Sequence, residues 1–249
     1  LKRKMQYAHL MAESQGQKTQ GLRMDYIIIV AGGRGTRMGT DVPKQFLPIG
    51  GKPVLMHTIE RFYDYDHAIG IIVVLPKDQQ PTWQTLCERH GFTIPHRVAD
   101  GGATRFESSR NGLALIPDDE EGVVGFHDGV RPFVSNEVIS DCYETAREEY
   151  TAVPVVPVTD TLRHVDSRTT RTFTVDRSLY RAVQTPQVFD IALAKQAFNQ
   201  PDRKTFTDDA SVVESLGVSI NTVDGNKENI KITTPFDLKV AKALLDSDN

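Results

Sequence analysis

Two permanent cations lie within reach of a glycine-rich run: Ala31-Gly32-Gly33-Arg34-Gly35-Thr36-Arg37-Met38, with Pro43-Lys44 just beyond. The run follows Tyr26–Val30, a short β-branched segment of the kind that forms a buried parallel strand. In an open α/β sheet, ligands sit beyond the carboxyl ends of the strands, where this loop would lie. Glycines let the backbone approach a phosphate closely, and successive amides can form an anion-binding nest. Arg37 and Lys44 add charge that a triphosphate needs twice, once to bind and again as charge moves onto leaving pyrophosphate. A bare glycine triplet would signify only a tight turn, but the composite of strand, GGxGxRM and PK is far more specific. It lacks the GK[ST] of a P-loop, and the third glycine of the dinucleotide fingerprint would fall on Met38. An NAD-dependent oxidoreductase is therefore a weak reading.

Placing such a loop requires a sheet, and the chain supplies the pattern for one. A helix from 54 to about 63 carries Leu55, Ile59 and Phe62 on one face. A buried strand at 71–75, a helix at 80–90, a short strand at 96–99 and a helix at 104–115 follow. Another strand at 122–127 and a helix at 137–150 continue the alternation. This rhythm predicts an α/β fold, a Rossmann-like, mostly parallel sheet with helices on both faces. It breaks at about 159–184, where Thr, Val and Phe alternate with charged residues around a polar turn at 166–168. That stretch predicts a projecting β-hairpin arm outside the main sheet. Hairpins alone are marginal, so the arm is expected to pack against a second subunit. Helices at 190–199 and 208–216, strands near 219–223 and 229–232, and a helix from Pro235 complete the chain. There is no internal repeat. One domain is expected over 24–249, with residues 1–23 as a disordered N-terminal extension.

A net charge of −4 over 249 residues argues against a general nucleic-acid binder. Cys87 and Cys142 have no metal-ligand spacing and read as free thiols of a reducing, cytoplasmic compartment. No apolar run approaches the roughly 20 residues of a membrane span, and no secretory signal is recognisable.

AGGRGTRM…PKQF resembles the signature loop of the sugar-phosphate nucleotidyltransferases. DGGATRFESS (100–109), HDGVRP (127–132), TVDRSLYRAVQTPQVF (174–189) and ENIKIT (228–233), in this order, are similar to the 2-C-methyl-D-erythritol 4-phosphate cytidylyltransferase family. The resemblance runs from about Met24 to the last helix, and ribitol-5-phosphate cytidylyltransferases share most of these segments. It implies transfer of a cytidylyl group from CTP to a polyol phosphate, with Mg2+ as cofactor and a homodimer formed through the arm.

By that resemblance, Ala31, Gly32, Gly33 and Gly35 make backbone contacts to CTP, and Arg37, Lys44 and Lys231 are the catalytic cations. Without it, Lys231 would read as a surface lysine. Gly101, Gly102 and Ser108 match positions that meet the base or ribose. Ala103 stands where relatives often carry an acidic residue, so only a backbone contact is expected there. Asp128 reads either as a ligand of ribose and Mg2+ at a strand end or as a turn-starting carboxylate. Arg131 suits a phosphate or a neighbouring carboxylate. Thr161 and Arg177 match residues that reach the acceptor phosphate from a partner subunit, and Thr185 and Thr207 match positions near the acceptor. FTDDAS also reads as a helix N-cap. Arg105 divides evenly between helix surface and function, and His127 reads as packing. Gly129-Val130, where relatives often have two alanines, is expected to loosen its loop. A phosphate monoester is already an anionic nucleophile, so the implied reaction needs no general base. A regulatory nucleotide-binding module without turnover is the alternative of another class, and the cations at 37, 44 and 231 speak against it.

Overall fold

Three consecutive isoleucines, Ile27, Ile28 and Ile29, are wholly buried because their strand is covered on both faces. The computed structural model describes residues 23–32, 42–166 and 168–247. Strand β1 (Tyr26–Val30) is followed by a minimal antiparallel pair, β2 (Pro48–Ile49) and β3 (Lys52–Pro53). β1 pairs in parallel with β4 (Gly70–Leu75) and with β6 (Val123–Asp128), and β4 pairs in parallel with β5 (Arg97–Asp100). Alternate side chains of β1 enter different cores, as the two-residue period of a strand dictates. Ile27 and Ile29 pack with α1 (Val54–Tyr65), α2 (Gln80–His90) and α4 (Asn136–Glu149). Ile28 packs with α3 (Arg105–Leu113), α5 (Ile191–Phe198) and α6 (Asp209–Glu214). The terminal helix α7 (Pro235–Ser247) joins a smaller cluster through Ala241, with Ile232, Val130 and Ile49. The α/β, Rossmann-like architecture expected from the sequence is therefore the one observed.

The second half departs from the simple rhythm. β7 (Thr151–Pro157) and β11 (Gln187–Asp190) were not anticipated; β11 lies between β6 and β7 and is antiparallel to both. Two prolines in TAVPVVP and the brevity of QVFD hid these strands, since proline is depleted in sheet interiors. β12 (Thr222–Asp224) pairs in parallel with β7. The strand expected at 229–232 is irregular backbone instead, tied to the 129–134 segment by the Ile232 amide donating to the Val130 carbonyl (2.9 Å).

The arm is also shorter than expected. β8 (Arg163–Val165) and β9 (Thr172–Thr174) form a separate two-stranded sheet, with Asp166 accepting from the Arg168 amide and the Thr169 hydroxyl at its turn. β10 (Arg181–Val183), however, pairs antiparallel with β7 and so belongs to the main sheet. The end of the 159–184 stretch thus anchors the hairpin, because β7 offers it an unfilled edge. Among the described residues, no helix is long and apolar enough to cross a membrane.

Candidate active site

Three cations converge on one carboxylate at the carboxyl end of β6. Asp128 is 5% exposed. Its Oδ1 accepts from Arg105 Nη1 (2.6 Å), while Oδ2 meets Arg131 Nε (3.0 Å) and Lys231 Nζ (2.9 Å). Burial alone would raise the pKa of this group. Arg105, Lys231 and Arg131 outweigh that effect and hold it well below the usual carboxylate range. Arg105 is in turn bound through Nε (3.1 Å) and Nη2 (2.6 Å) to Oδ2 of buried Asp209. Burial disfavours its charge, but the two carboxylates prevail and keep it a permanent cation.

Above this cluster opens a cleft of about 300 Å³, lined by Ala31, Gly32 and Lys44 on the β1 side and by Gly102, Arg105 and Ser108 on the other. Asp128 and Lys231 line it too, and so does Gln45. Among the described residues, counting Lys44, Arg105, Arg131 and Lys231 against Asp128 and Asp209 leaves the site at net +2, which suits a polyanion. Gln45 fixes the relation of Lys44 to β1: its Nε2 donates to the Ala31 carbonyl (2.7 Å) and to Gln79 Oε1 (2.6 Å).

The DGG turn is folded onto α3. The Gly102 amide donates to Ser108 Oγ (3.0 Å), and Ser108 Oγ donates to the Thr104 carbonyl (2.9 Å). A Cβ at Gly101 would lie 3.1 Å from the Pro76 backbone nitrogen, so close approach of two chains explains that glycine. The Ala103 amide, expected to be available for a backbone contact, donates to Glu107 Oε2 (2.7 Å). Gly129 does not loosen its loop: a Cβ there would come within 2.8 Å of Ala31 Cβ, and the Gly129 amide donates to the Val30 carbonyl (2.9 Å).

His127 is fully buried behind Asp128, edge-on to Phe62. A carbonyl can only accept, so Nε2 carries the proton and donates to the Arg131 carbonyl (3.0 Å). Nδ1 then accepts from the Thr185 hydroxyl (2.9 Å), whose oxygen accepts from the Asp128 amide (3.2 Å). Thr185 therefore supports the strand end with its hydroxyl engaged on both sides. Burial pushes His127 down to about 4. The folded state resists the proton that the unfolded chain accepts near 6.5, so the histidine's contribution to stability falls as pH drops from 6.5 to 4 and levels off below. The histidine's share is about 3–4 kcal/mol at about 1.4 kcal/mol per unit. Denaturant titrations of His127→Gln should be flatter than wild type across that window; equal slopes would contradict the assignment.

The other expected site residues are dispersed. Arg131 donates to Asp128 and, through Nη1, to the Asn229 carbonyl (2.7 Å), and backs the cleft rather than lining it. Thr207 is exposed in the turn that Asp208 caps at α6, so the N-cap reading of FTDDAS also holds. Thr161 and Arg177 sit at the arm, with Arg177 donating to the Thr159 carbonyl, and neither lines the cleft. Gly33, Gly35 and Arg37 lie outside the described residues.

Asp128 does not fit the expected role of metal ligand. Each of its oxygens already accepts from a cation, and a divalent ion on either would sit against the like charges of Arg105, Arg131 and Lys231. Among the described residues, no group of three or more His, Cys, Asp or Glu could hold a metal.

Sequence reasoning missed Asp209, Ser109, Gln45 and Asn229. Asn229 Nδ2 donates to the Thr185 carbonyl (2.8 Å) and ties ENIKIT to the QTPQ segment. The only signal for Asp209 was the second carboxylate of FTDD, which looks like ordinary helix-start chemistry.

The model of the family described as IspD: 2-C-methyl-D-erythritol 4-phosphate cytidylyltransferase matches residues 26–247. The protein of that name from Bacteroides thetaiotaomicron is 58% identical over 219 residues, spanning 88% of this chain and 98% of the relative. Its namesake from Porphyromonas gingivalis is 48% identical over 223 residues, spanning 89% and 98%. Among solved structures, the 2-C-methyl-D-erythritol 4-phosphate cytidylyltransferase of Thermus thermophilus superposes with a TM-score of 0.71 at 31% identity, covering 90% of this chain and all of that one. The 4-diphosphocytidyl-2C-methyl-D-erythritol synthase of Anaerococcus prevotii gives 0.76 at 28% identity, covering 90% and 96%.

Proposed function

The chain belongs to the 2-C-methyl-D-erythritol 4-phosphate cytidylyltransferase family, and from that premise we propose the division of labour at its site. The protein is a nucleotidyltransferase that moves a cytidylyl group from CTP to 2-C-methyl-D-erythritol 4-phosphate in the non-mevalonate route to isoprenoids. An oxygen of the acceptor's phosphate forms a bond to the α-phosphorus of CTP, the bridge to the β-phosphate breaks, and pyrophosphate leaves. The nucleophile is already anionic, and His127, neutral and sealed behind the strand end, takes no part.

The single observation that carries this reading is the cationic cleft over Asp128, between the carboxyl end of β1 and the DGG turn. Arg37, Lys44 and Lys231 hold the triphosphate and take up charge as pyrophosphate departs. Ala31, Gly32, Gly33 and Gly35 supply backbone to the nucleotide, and Gly101, Gly102 and Ser108 meet the base or ribose. Among the described residues, Asp128 Oδ1 accepts from Arg105 alone and keeps a lone pair, which suits a ribose hydroxyl better than a metal. Mg2+ belongs to this reading as the companion of the CTP phosphates, held by the nucleotide.

For the acceptor, Arg131 and Thr207 are assigned from one subunit, with Thr185 bracing the strand end behind them, and Thr161 and Arg177 from the other subunit of a homodimer. The arm supports this arrangement: three-residue strands cannot stand alone, yet Val165, Phe173 and Leu179 are 61%, 56% and 80% exposed. A two-fold partner would cover them.

The test is pyrophosphate release with CTP and Mg2+ over a panel of acceptors. Release should require an acceptor, with kcat/KM highest for 2-C-methyl-D-erythritol 4-phosphate. A higher value for ribitol 5-phosphate would reassign the acceptor, and CTP binding without release would point to a regulatory module.

A further inference from the structure

The Arg105 guanidinium is stretched between two carboxylates, only one of which reaches the cleft. Asp208 caps α6 by accepting from the Ser211 amide (2.9 Å), and Gln187 Oε1 accepts from the Ala210 amide (2.8 Å), so the helix start is pinned to β11. Asp209, the first helical residue, is thereby carried inward, and its side chain is 1% exposed. Its Oδ1 accepts from Ser109 Oγ (2.6 Å), and its Oδ2 accepts from Nε and Nη2 of Arg105. Arg105 Nη1 donates to Asp128. Among the described residues, three of the five guanidinium N–H groups are thus committed, and two remain, one on each terminal nitrogen.

Arg105 lines the cleft, whereas Asp209 does not. Burying a carboxylate is costly, and a buried ion pair is often no better for stability than apolar side chains of the same size. Orientation accounts for the pair better than stability does. The start of α3 is tied a second time to the chain leading into α6, where Thr104 Oγ1 donates to Asp202 Oδ2 (2.7 Å).

We propose that Asp209 is a positioning residue of the nucleotide site: seated by Ser109, it holds Arg105 so that the two remaining N–H groups meet the phosphates of CTP. This rests on the cytidylyltransferase reading above. Without Asp209 the long arginine side chain would keep its charge but lose its fixed direction, and each CTP would have to reorder it.

The experiment is a double-mutant cycle read as the Kd of CTP with Mg2+ by calorimetry: wild type, Asp209→Asn, Arg105→Lys and the double variant. Arg105→Lys keeps the charge and removes the fork. Asp209→Asn should weaken CTP binding about tenfold, the low end for a lost charge-assisted hydrogen bond. In the Arg105→Lys background it should add less than about twofold, since positioning through Arg105 leaves nothing more to lose. CTP binding within twofold of wild type in Asp209→Asn, or losses that multiply in the double variant, would overturn the proposal. Should Asp209→Asn fail to fold, Ser109→Ala asks the same question more gently: about threefold weakening that vanishes beside Arg105→Lys, with no weakening overturning the idea. Wild-type turnover separates the two readings. Transfer with multiplying losses defeats only the role of Asp209; CTP binding without transfer defeats the enzymatic reading, and the cycle still decides the positioning.

Discussion

Lys44→Ala is expected to lower kcat by about 10²–10³ while leaving the melting temperature close to wild type, the loss typical of removing one preorganised donor from a developing charge. Its side chain lines the cleft from a short turn whose packing is carried by its neighbours: Gln45 is wholly buried and Phe46 nearly so. Truncation to alanine therefore removes a cation and no core. Gln45 keeps its bonds to Ala31 and Gln79, so the loop's anchor to β1 survives. The KM for CTP should rise less than kcat falls, because the charge that Lys44 meets grows as pyrophosphate departs. Arg37→Ala, in the same glycine-rich run, should behave alike. Near-normal turnover in a well-folded Lys44→Ala protein would refute the loop's part in catalysis.

Arg177→Ala should abolish most acceptor-dependent turnover by raising the acceptor's KM while CTP affinity stays nearly unchanged. Arg177 sits at the arm and does not line the cleft, so in the proposed homodimer it would serve the acceptor site of the other subunit. Sites shared in the proposed way would permit complementation. Equal amounts of Lys44→Ala and Arg177→Ala protein, allowed to exchange subunits freely, give mixed dimers as about half of the population. One site in each mixed dimer draws both residues from intact copies, so roughly a quarter of all sites recover. A monomer in sedimentation, or no recovery after verified exchange, would rule out the shared site.

The parallel half of the sheet was legible because Ile27 to Ile29 and the run at 71–75 are short, β-branched and separated by helix-period segments. The antiparallel half was not. Proline in β7 and the four-residue length of β11 leave no two-residue alternation to read, and β10 joined the main sheet through an open edge that no local pattern announces. Within the site, the resemblance brought out Asp128 and Lys231, whereas Arg105 stayed undecided. An arginine at a helix start looks the same whether it faces water or two carboxylates.

By itself the sequence determined a glycine-rich run after a buried strand, with cations close behind, because those features are neighbours along the chain. Only the tertiary structure decided that Arg105, Asp128, Arg131, Asp209 and Lys231 form one charge network. Their partnerships come from the end of β6, the starts of α3 and α6 and the irregular segment before α7, which packing brings together. Each buried charge is tolerable only because that packing supplies its counter-charge, and apart from Asp128 and Arg131, three residues apart, no spacing along the chain encodes such a pairing.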